Sequence, residues 1–303
     1  MRRFLLILVV LAIAGGAAFY LLTMPRPLDA AVIPERPGDA AHGEWVFWAG
    51  GCAGCHAAPG AEGDARLVLA GGVALRTEFG TFYAPNISPD REHGIGTWSA
   101  LDLVNAMKRG LAPDGSHLYP AFPYTSYQRM TIDDIVDLAA FLKTLPPSAE
   151  PSRPHELSFP YSFRRGIGLW KLAYFDGETF TPAPSKSAEI NHGAYIVEGP
   201  GHCNECHTPR DRFGGLDRTR AFAGAPNPDG EGTIPNITSG EGGISDWTAE
   251  DIAAALETGF KPDFDSFGGS MVEVQENMAH LTPEDRLAIG MYLKEVPAQN
   301  SAR

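Results

Sequence analysis

The sequence predicts an all-α protein made of two similar helical units that follow one membrane-spanning helix. Three observations support this fold class: an apolar run at the N-terminus, a repeat that aligns the two halves at a shift of about 151 residues, and helix-start signals at matching points of both halves. The 34 glycines and 25 prolines favour irregular loops over long sheets. A length of 303 residues suits about two domains.

The first predicted element is an apolar run over residues 4–23 that contains no charged residue. About 20 helical residues, at about 1.5 Å each, cross a hydrocarbon core of about 30 Å, so a leading segment 1–26 is expected to hold a transmembrane helix. Arg2 and Arg3 precede the run, which places the N-terminus in the cytoplasm and the remainder in the periplasm, as in a protein of the bacterial inner membrane. A cleaved signal peptide is the competing interpretation, but no A-x-A site follows the run.

Each half of the chain contains the sequence C-x-x-C-H, and the two copies use all four cysteines. This is the pattern by which haem c is attached: two thiols form thioether bonds to the porphyrin, and the histidine binds the iron. A zinc site would need a second cysteine pair in the same half, and a thioredoxin-like motif would need a β-α-β context. The sequence therefore predicts two covalently bound haem c groups. The residues expected to hold them are Cys52, Cys55 and His56, and Cys203, Cys206 and His207.

The repeat extends well beyond these motifs. His42-Gly43 recurs as His192-Gly193 before the cysteines, and Pro85-Asn86-Ile87 recurs as Pro235-Asn236-Ile237 after the histidines. Matching helix starts carry an N-cap hydroxyl followed by an acid in the first turn, at Ser99, Thr131, Thr248 and Thr282. The last helix of each half has an apolar stripe at i, i+3, i+4 and i+7, formed by Leu138, Phe141, Leu142 and Leu145, and by Ile289, Tyr292, Leu293 and Val296.

These patterns divide the chain into a first unit, residues 27–146, a linker, residues 147–187, a second unit, residues 188–298, and a tail, residues 299–303. Prolines stiffen the ends of the linker. Its centre, residues 162–175, is basic and aromatic in an otherwise acidic chain. It is interpreted either as a strut across both units or as a docking surface for a partner subunit or the membrane interface, where tryptophan, tyrosine and cationic residues gather.

The charge balance bears on the partners. Three of the 24 basic residues and none of the 37 acidic residues lie in the leading segment, so the exported part is more acidic than the whole chain, whose formal charge is −13. Nucleic acid is excluded as a partner, because phosphate binding needs a basic stripe. The acidity serves solubility, and it would also steer a basic redox partner towards the protein.

Axial ligation of the second iron is predicted from a methionine in a small-residue loop. Met271 ends the sequence Gly268-Gly269-Ser270-Met271, and such a loop can bring a thioether to a haem iron. Met278 is the fallback, and His280 is a weaker candidate. A second protein ligand would make the haem an electron carrier, whereas an open iron would permit peroxidase or ligand-binding chemistry.

The first iron has a less obvious sixth ligand. The repeat places Phe122 nearly opposite Met271, and phenylalanine cannot bind iron. Met107 lies on the middle helix and is assigned to the core. Met130 ends a loop rich in proline and tyrosine and is chosen as the ligand, with His117 and an open site as alternatives.

Five further residues recur near the positions that haem propionates would take, or follow a motif closely. They have two interpretations, as hydrogen-bond partners of the propionates or as loop and core structure. They are Asn86, Asn236, Trp98, Trp247 and Arg210.

The order of helices resembles class I cytochrome c, whose first and last helices cross through a glycine and an aromatic residue. The matching positions are Gly43 with Phe141 and Gly193 with Tyr292. The resemblance implies two tandem class I cytochrome c-like domains, behind the N-terminal helix and joined by the linker rich in proline and aromatic residues.

A more specific resemblance covers nearly all of residues 40–297. The segments that carry it are Gly110 with Asp114-Gly115-Ser116-His117-Leu118-Tyr119-Pro120-Ala121, Arg164-Arg165-Gly166-Ile167-Gly168-Leu169-Trp170-Lys171, Cys206-His207-Thr208-Pro209-Arg210 and Gly268-Gly269-Ser270-Met271. They are similar to dihaem members of the family that contains the cytochrome c subunits of periplasmic sugar, alcohol and aldehyde dehydrogenases. Many of those subunits carry three haems, and some have methionine at the position of Phe122.

The resemblance implies that electrons enter from a periplasmic dehydrogenase and pass through two haems to quinone, a small cytochrome or a terminal oxidase. It implies no substrate chemistry for the chain itself. Two rival functions are a dihaem peroxidase with one open iron, which Phe122 would allow, and a cytochrome c subunit of a terminal oxidase.

Overall fold

The computed structural model describes residues 1–228 and 232–301 and is mostly helical. From the N-terminus to the end of the first unit, the helices are Arg2–Leu22 (α1), Ala40–Ala49 (α2), Cys52–His56 (α3), Ala100–Arg109 (α4), Tyr124–Tyr127 (α5) and Ile132–Leu142 (α6). The linker and second unit contain Ile167–Tyr174 (α7), Ala188–Glu198 (α8), Asn204–His207 (α9), Ala249–Thr258 (α10), Met271–Met278 (α11) and Pro283–Glu295 (α12). Residues 302–303 of the predicted tail lie outside the described residues.

Five short strands among the described residues interrupt the helical pattern. They are Ala74–Thr77 (β1), Gly80–Tyr83 (β2), Glu156–Leu157 (β3), Ala225–Pro226 (β4) and Thr233–Ile234 (β5). The first three form an antiparallel sheet in the order β1-β2-β3, and β4 pairs antiparallel with β5. Sequence analysis predicted only irregular loops here, although the threonine and aromatic residues of β2 favour strand conformation.

Helix α1 is the one helix in the described part of the chain that is long and apolar enough to cross a membrane, with a mean hydropathy of 2.7. None of its residues is buried against the rest of the protein. A signal sequence would meet the same criteria of length and composition.

The predicted N-caps are confirmed. Each of the four hydroxyls accepts the backbone N–H three residues later, and three of the helices have complete capping boxes, in which the acid at that position accepts from the cap N–H. The caps are Ser99 on α4, Thr131 on α6, Thr248 on α10 and Thr282 on α12.

The core of each unit is a crossing of its first and last long helices, α2 with α6 and α8 with α12. A glycine allows the close approach in both: a Cβ at Gly43 would lie 2.9 Å from the Phe141 Cβ and closer still to the Asp137 carbonyl oxygen. A Cβ at Gly193 would lie 3.0 Å from the Ile289 nitrogen. The two predicted glycine positions are therefore the points where the helix backbones meet.

The two units exchange equivalent hydrogen bonds. The Trp45 side chain on α2 donates to the Asp285 carboxylate at 2.9 Å, in the capping box of α12. At the matching position of α8, the Tyr195 hydroxyl donates to the Asp134 carboxylate in the first turn of α6. The first helix of each unit thus contacts the start of the last helix of the other, and the units share one continuous hydrophobic core.

The linker contacts both units, as expected of a strut. Strand β3 pairs with β2 of the first unit. From α7, the Trp170 indole donates to the Phe213 carbonyl at 2.9 Å, and the Tyr174 hydroxyl donates to the Asp211 carboxylate at 2.6 Å, both in the second unit.

A buried ion pair at the start of the first unit leads to a stability prediction. Asp137 on α6 is buried and accepts two hydrogen bonds from the Arg36 guanidinium, at 2.6 and 3.1 Å, and one from the Asp39 N–H at 2.8 Å. Burial would raise the pKa of Asp137, but Arg36 and the Asp39 N–H outweigh it and hold the pKa below its ordinary value. The ionised carboxylate therefore stabilises the fold above its unfolded pKa of about 3.9, and the contribution is lost as pH falls through the folded pKa.

We expect Asp137→Asn to lower the free energy of unfolding by about 2 to 3 kcal/mol at pH 7, because it leaves the arginine without its buried partner. The difference from wild type should shrink as pH falls towards 3. Urea unfolding of the holoprotein at both pH values measures this. The control is Asp133→Asn, which removes an exposed partner of Arg36 at 2.9 Å and should cost less than about 1 kcal/mol. Equal losses in the two variants would contradict the assignment.

Candidate haem attachment sites

Each C-x-x-C-H motif forms a short helix directly after the first long helix of its unit. In the first unit, α3 follows Gly51, which has a φ of 62°. In the second, α9 follows a turn in which His202 has a φ of 39°. One helical turn places the two cysteines and the histidine of each motif on adjacent faces, as attachment to one porphyrin requires.

Both motif histidines are oriented by a proline carbonyl. The Nδ1–H of His56 donates to the Pro85 carbonyl at 2.9 Å, and that of His207 donates to the Pro235 carbonyl at 2.8 Å. Since a carbonyl only accepts, this assigns the proton to Nδ1 and leaves the Nε2 lone pair for a metal. Burial lowers the pKa of both histidines, with the proline carbonyls acting in the opposite direction. The donor set thus fits haem iron, which binds neutral imidazole.

A glycine lets the proline segment approach each motif. Gly71 has a φ of 77°, and a Cβ there would lie 2.5 Å from the Ala84 carbonyl oxygen. Gly224 has a φ of 84°, and a Cβ there would lie 2.6 Å from the Ile234 carbonyl oxygen. The nitrogens of these glycines donate to the carbonyls of the two motif histidines, at 2.7 and 2.8 Å. The repeated segments therefore form one structure around each histidine.

The two motifs lie against each other. The Cε1 atom of His202, immediately before the second motif, is 3.7 Å from the position of a Cβ on Gly51, immediately before the first. Burial, and then the neighbouring Cys206 and Glu273, raise the pKa of the Cys55 thiol to about 11. Groups attached to the two motifs would therefore be neighbours.

Helix α5 of the first unit packs on the second motif through Glu205. The buried Glu205 carboxylate accepts from the Thr125 hydroxyl at 2.5 Å and the Ser126 hydroxyl at 2.8 Å, and it pairs with Arg210 at 2.6 Å. Burial would raise the pKa of Glu205, but Arg210 and the hydroxyls hold it below its ordinary value. No sequence pattern predicted this role for Glu205, because its partners come from the other unit.

Helix α11 of the second unit packs on the first motif in the reciprocal way. The Asn277 side chain lies 3.4 Å from the position of a Cβ on Gly54, within the first motif. Arg66 of the first unit pairs with Glu273 at 3.3 Å and with Glu276. Each motif is therefore covered by a short helix of the other unit.

The proposed sixth ligands occupy different environments. Met130 is fully buried, and its Cγ lies 3.7 Å from the position of a Cβ on Gly199 of the second unit. Met271 is half-buried as the first residue of α11. Of the fallback residues, Met278 is buried and His280 stacks on Trp48 with ring centroids 3.6 Å apart.

His117, the alternative ligand of the first iron, has both ring nitrogens occupied. Its Nε2–H donates to the Thr23 carbonyl at 2.8 Å, and its Nδ1 accepts from the Lys171 ammonium at 3.2 Å. Lys171 also donates to two carbonyls of the first unit. Burial, and then the nearby Arg109, lower the pKa of Lys171 to about 7. His117 in this position connects α1 with α7 rather than binding iron.

The predicted propionate partners have structural roles where their side chains are bound. The Asn86 amide donates to the carbonyls of Ser148 and Glu150 at 2.8 and 2.7 Å, and the Asn236 amide donates to the Gln299 carbonyl at 2.8 Å. These contacts attach the chain that follows each last helix. The Arg210 guanidinium is used by Glu205 and by the Gly214 carbonyl.

Comparison with known proteins assigns the family. The cytochrome c family profile matches residues 40–146. A dihaem c-type cytochrome of Cereibacter sphaeroides is 51% identical over 298 residues, which cover 98% of this chain and 99% of the relative.

Two longer relatives are dehydrogenase subunits by name. The fructose dehydrogenase cytochrome subunit of Gluconobacter japonicus is 34% identical over 96% of this chain and 58% of its own length. The gluconate 2-dehydrogenase cytochrome c subunit of Pantoea cypripedii is 32% identical over 90% of this chain and 64% of its own length. The chain thus spans about three fifths of these two relatives. With the relative from C. sphaeroides matched over nearly its full length, the chain belongs to the dihaem c-type cytochromes, which are haem-dependent electron-transfer proteins.

Proposed function

We propose that the chain is a membrane-anchored dihaem cytochrome that takes electrons from a periplasmic dehydrogenase. The acceptor would be quinone, a small cytochrome or a terminal oxidase of the respiratory chain. Two cytochrome c-like domains, residues 27–146 and 188–298, would carry one haem each. The leading segment 1–26 would be the anchor in the bacterial inner membrane, with the linker 147–187 and tail 299–303 in the periplasm.

Each haem would be attached by the motif of its own domain. The thioether bonds would form at Cys52 and Cys55 and at Cys203 and Cys206, and His56 and His207 would bind the irons. Haem supplies one-electron redox chemistry, and the chain contributes its orientation, burial and axial ligands. Supporting this, the proline carbonyls fix both histidines with Nε2 available.

We assign Met130 and Met271 as the sixth ligands. Met271 begins α11, which covers the first motif and belongs to the loop region of the second unit. Met130 follows Tyr127, whose hydroxyl donates to the Gly50 carbonyl at 3.0 Å just before the first motif. The Lys108 ammonium donates to the Met130 carbonyl at 2.8 Å and so fixes the end of this loop.

The observation that carries the proposal is the contact between the two motifs. Electron tunnelling falls steeply with distance, so haems attached to touching motifs would exchange electrons directly. The reciprocal packing of α5 and α11 supports this, because both contacts hold one motif against the other unit. A pair of rigidly adjacent haems suits a relay between a donor and an acceptor.

The donor is inferred from the relatives. Those with assigned complexes are cytochrome subunits of fructose, gluconate and alcohol dehydrogenases. A formal charge of −13 would favour an acceptor or donor with a basic docking face, and such steering weakens with salt.

Purification of the full-length protein from native membranes tests this function. We expect two covalently bound haems by mass spectrometry, co-purification with a dehydrogenase, and reduction of both haems when the substrate of that dehydrogenase is added. Carbon monoxide should bind neither haem of the untreated reduced protein. Co-purification with a copper- and haem-containing oxidase instead, or rapid carbon monoxide binding at one haem, would contradict the proposal.

A further inference from the structure

We propose that the linker forms a foot that lies in the lipid interface of the membrane beside the end of α1. The foot consists of Phe159, Tyr161, Phe163, Leu169 and Leu172. Its ligand would be the phospholipid surface, with the apolar side chains among the upper acyl chains. This inference rests on the proposed membrane anchor and adds a second, independent contact with the bilayer.

Helix α7 has the reverse of the pattern expected for a helix on a water-soluble surface. Its buried face carries Gly168 and Lys171, and its outer face carries Leu169 and Leu172, which are 43% and 58% exposed. The Lys171 ammonium is satisfied inside by two carbonyls at the end of α4, at 2.6 and 2.8 Å. A helix that buries its lysine and exposes its leucines is suited to an apolar environment on its outer side.

Three aromatic residues extend this apolar surface towards the N-terminal side of α7. Phe159, Tyr161 and Phe163 are 84%, 44% and 53% exposed. Scattered exposed apolar residues are ordinary, but five within 14 residues of chain form a concentrated surface of the kind that marks an interaction site. Phenylalanine and tyrosine are also the side chains that favour the boundary between hydrocarbon and water.

The foot is continuous with the end of α1. The ring of Phe163 stacks on that of Phe19, with centroids 5.9 Å apart. The Arg165 guanidinium donates to the Thr23 hydroxyl at 2.8 Å and to the Tyr20 carbonyl at 3.1 Å. Because α1 needs nearly its whole length to cross a hydrocarbon core, its last turn lies where acyl chains meet headgroups. The foot, fixed to that turn, lies at the same depth.

Charge also favours lipid as the occupant. Arg164 and Arg165 lie within the foot segment, while the chain as a whole is acidic. Arg164 lies over the Tyr119 ring at 4.8 Å and Arg165 over the Tyr20 ring at 4.9 Å, so both guanidinium groups are held beside aromatic rings at this end of α1. Such groups attract the phosphates of anionic headgroups. A foot next to the anchor would fix the tilt of both haem units relative to the bilayer.

Lipid photo-crosslinking tests the foot. The full-length holoprotein is placed in vesicles of phosphatidylethanolamine and phosphatidylglycerol that include a phospholipid with a diazirine on its acyl chain, and adducts are mapped by peptide mass spectrometry. We expect adducts on residues 2–22 and also on residues 159–172. The double variant L169Q/L172Q should lose at least fivefold of the adduct yield at the foot while that at α1 stays unchanged.

The matched control is F260Q/F264Q, which changes two comparably exposed apolar side chains of the second unit and should leave the foot adducts unchanged. Adducts confined to residues 2–22 would overturn the foot and leave the anchor intact, and would point to a protein partner for this surface. If residues 2–22 also lack adducts, the membrane anchor fails, and the foot fails with it.

Discussion

Replacing Gly43 by valine is expected to lower the free energy of unfolding by at least about 3 kcal/mol and to reduce haem incorporation. A Cβ at this position would lie 2.9 Å from the Phe141 Cβ and closer to the Asp137 carbonyl oxygen. Overpacking a core typically costs about 1 to 3 kcal/mol, and here the obstacle is backbone that cannot move aside without separating α2 from α6. The gain of up to about 1 kcal/mol from removing a helical glycine is too small to offset this.

Thermal and urea unfolding of the purified holoprotein, together with the haem-to-protein ratio, measure the effect. Gly193→Val should behave alike, because a Cβ at that position would collide with the backbone of Ala288 in the second crossing. The control is Gly268→Ala, since nothing lies within 4 Å of a Cβ there. Wild-type stability in both valine variants would show that these crossings are not what the units depend on.

Features encoded within a few residues could be predicted from the sequence. The N-caps at Thr131 and Thr282 depend on a hydroxyl and the helix that follows it, and they lie where expected. The glycine crossings follow from the resemblance to class I cytochrome c together with the repeat. In contrast, the hairpin of β1 and β2 was missed, because its pairing with β3 depends on the distant linker.

Features that depend on contact between distant segments could not be predicted. His117 was an alternative iron ligand by residue type, but its neighbours Thr23 and Lys171 are far from it in the chain and occupy both ring nitrogens. Lys171 itself is buried, against the usual preference of lysine for the surface. The contact between the two motifs has the same origin, since no local pattern specifies how two repeats face each other.

The sixth ligands give the second large expected effect, in redox potential rather than stability. We expect Met271→Leu to lower the midpoint potential of one haem by about 0.1 V or more, a fraction of the roughly 0.8 V range that axial ligation spans. Loss of a Met/His pair lowers the potential, and the open iron should then bind carbon monoxide. Potentiometric titration followed by absorbance, with carbon monoxide difference spectra, measures both changes.

Met130→Leu should have the same effect on the other haem, so the double variant should shift both potentials. The position makes this a demanding test: the repeat aligns Met130 with Leu281, and both are buried. Met278→Leu is the control, because this buried substitution conserves volume and should change neither potential. If Met130→Leu leaves both potentials unchanged and the reduced protein still binds no carbon monoxide, the first iron has a different sixth ligand and Met130 serves the contact between the units.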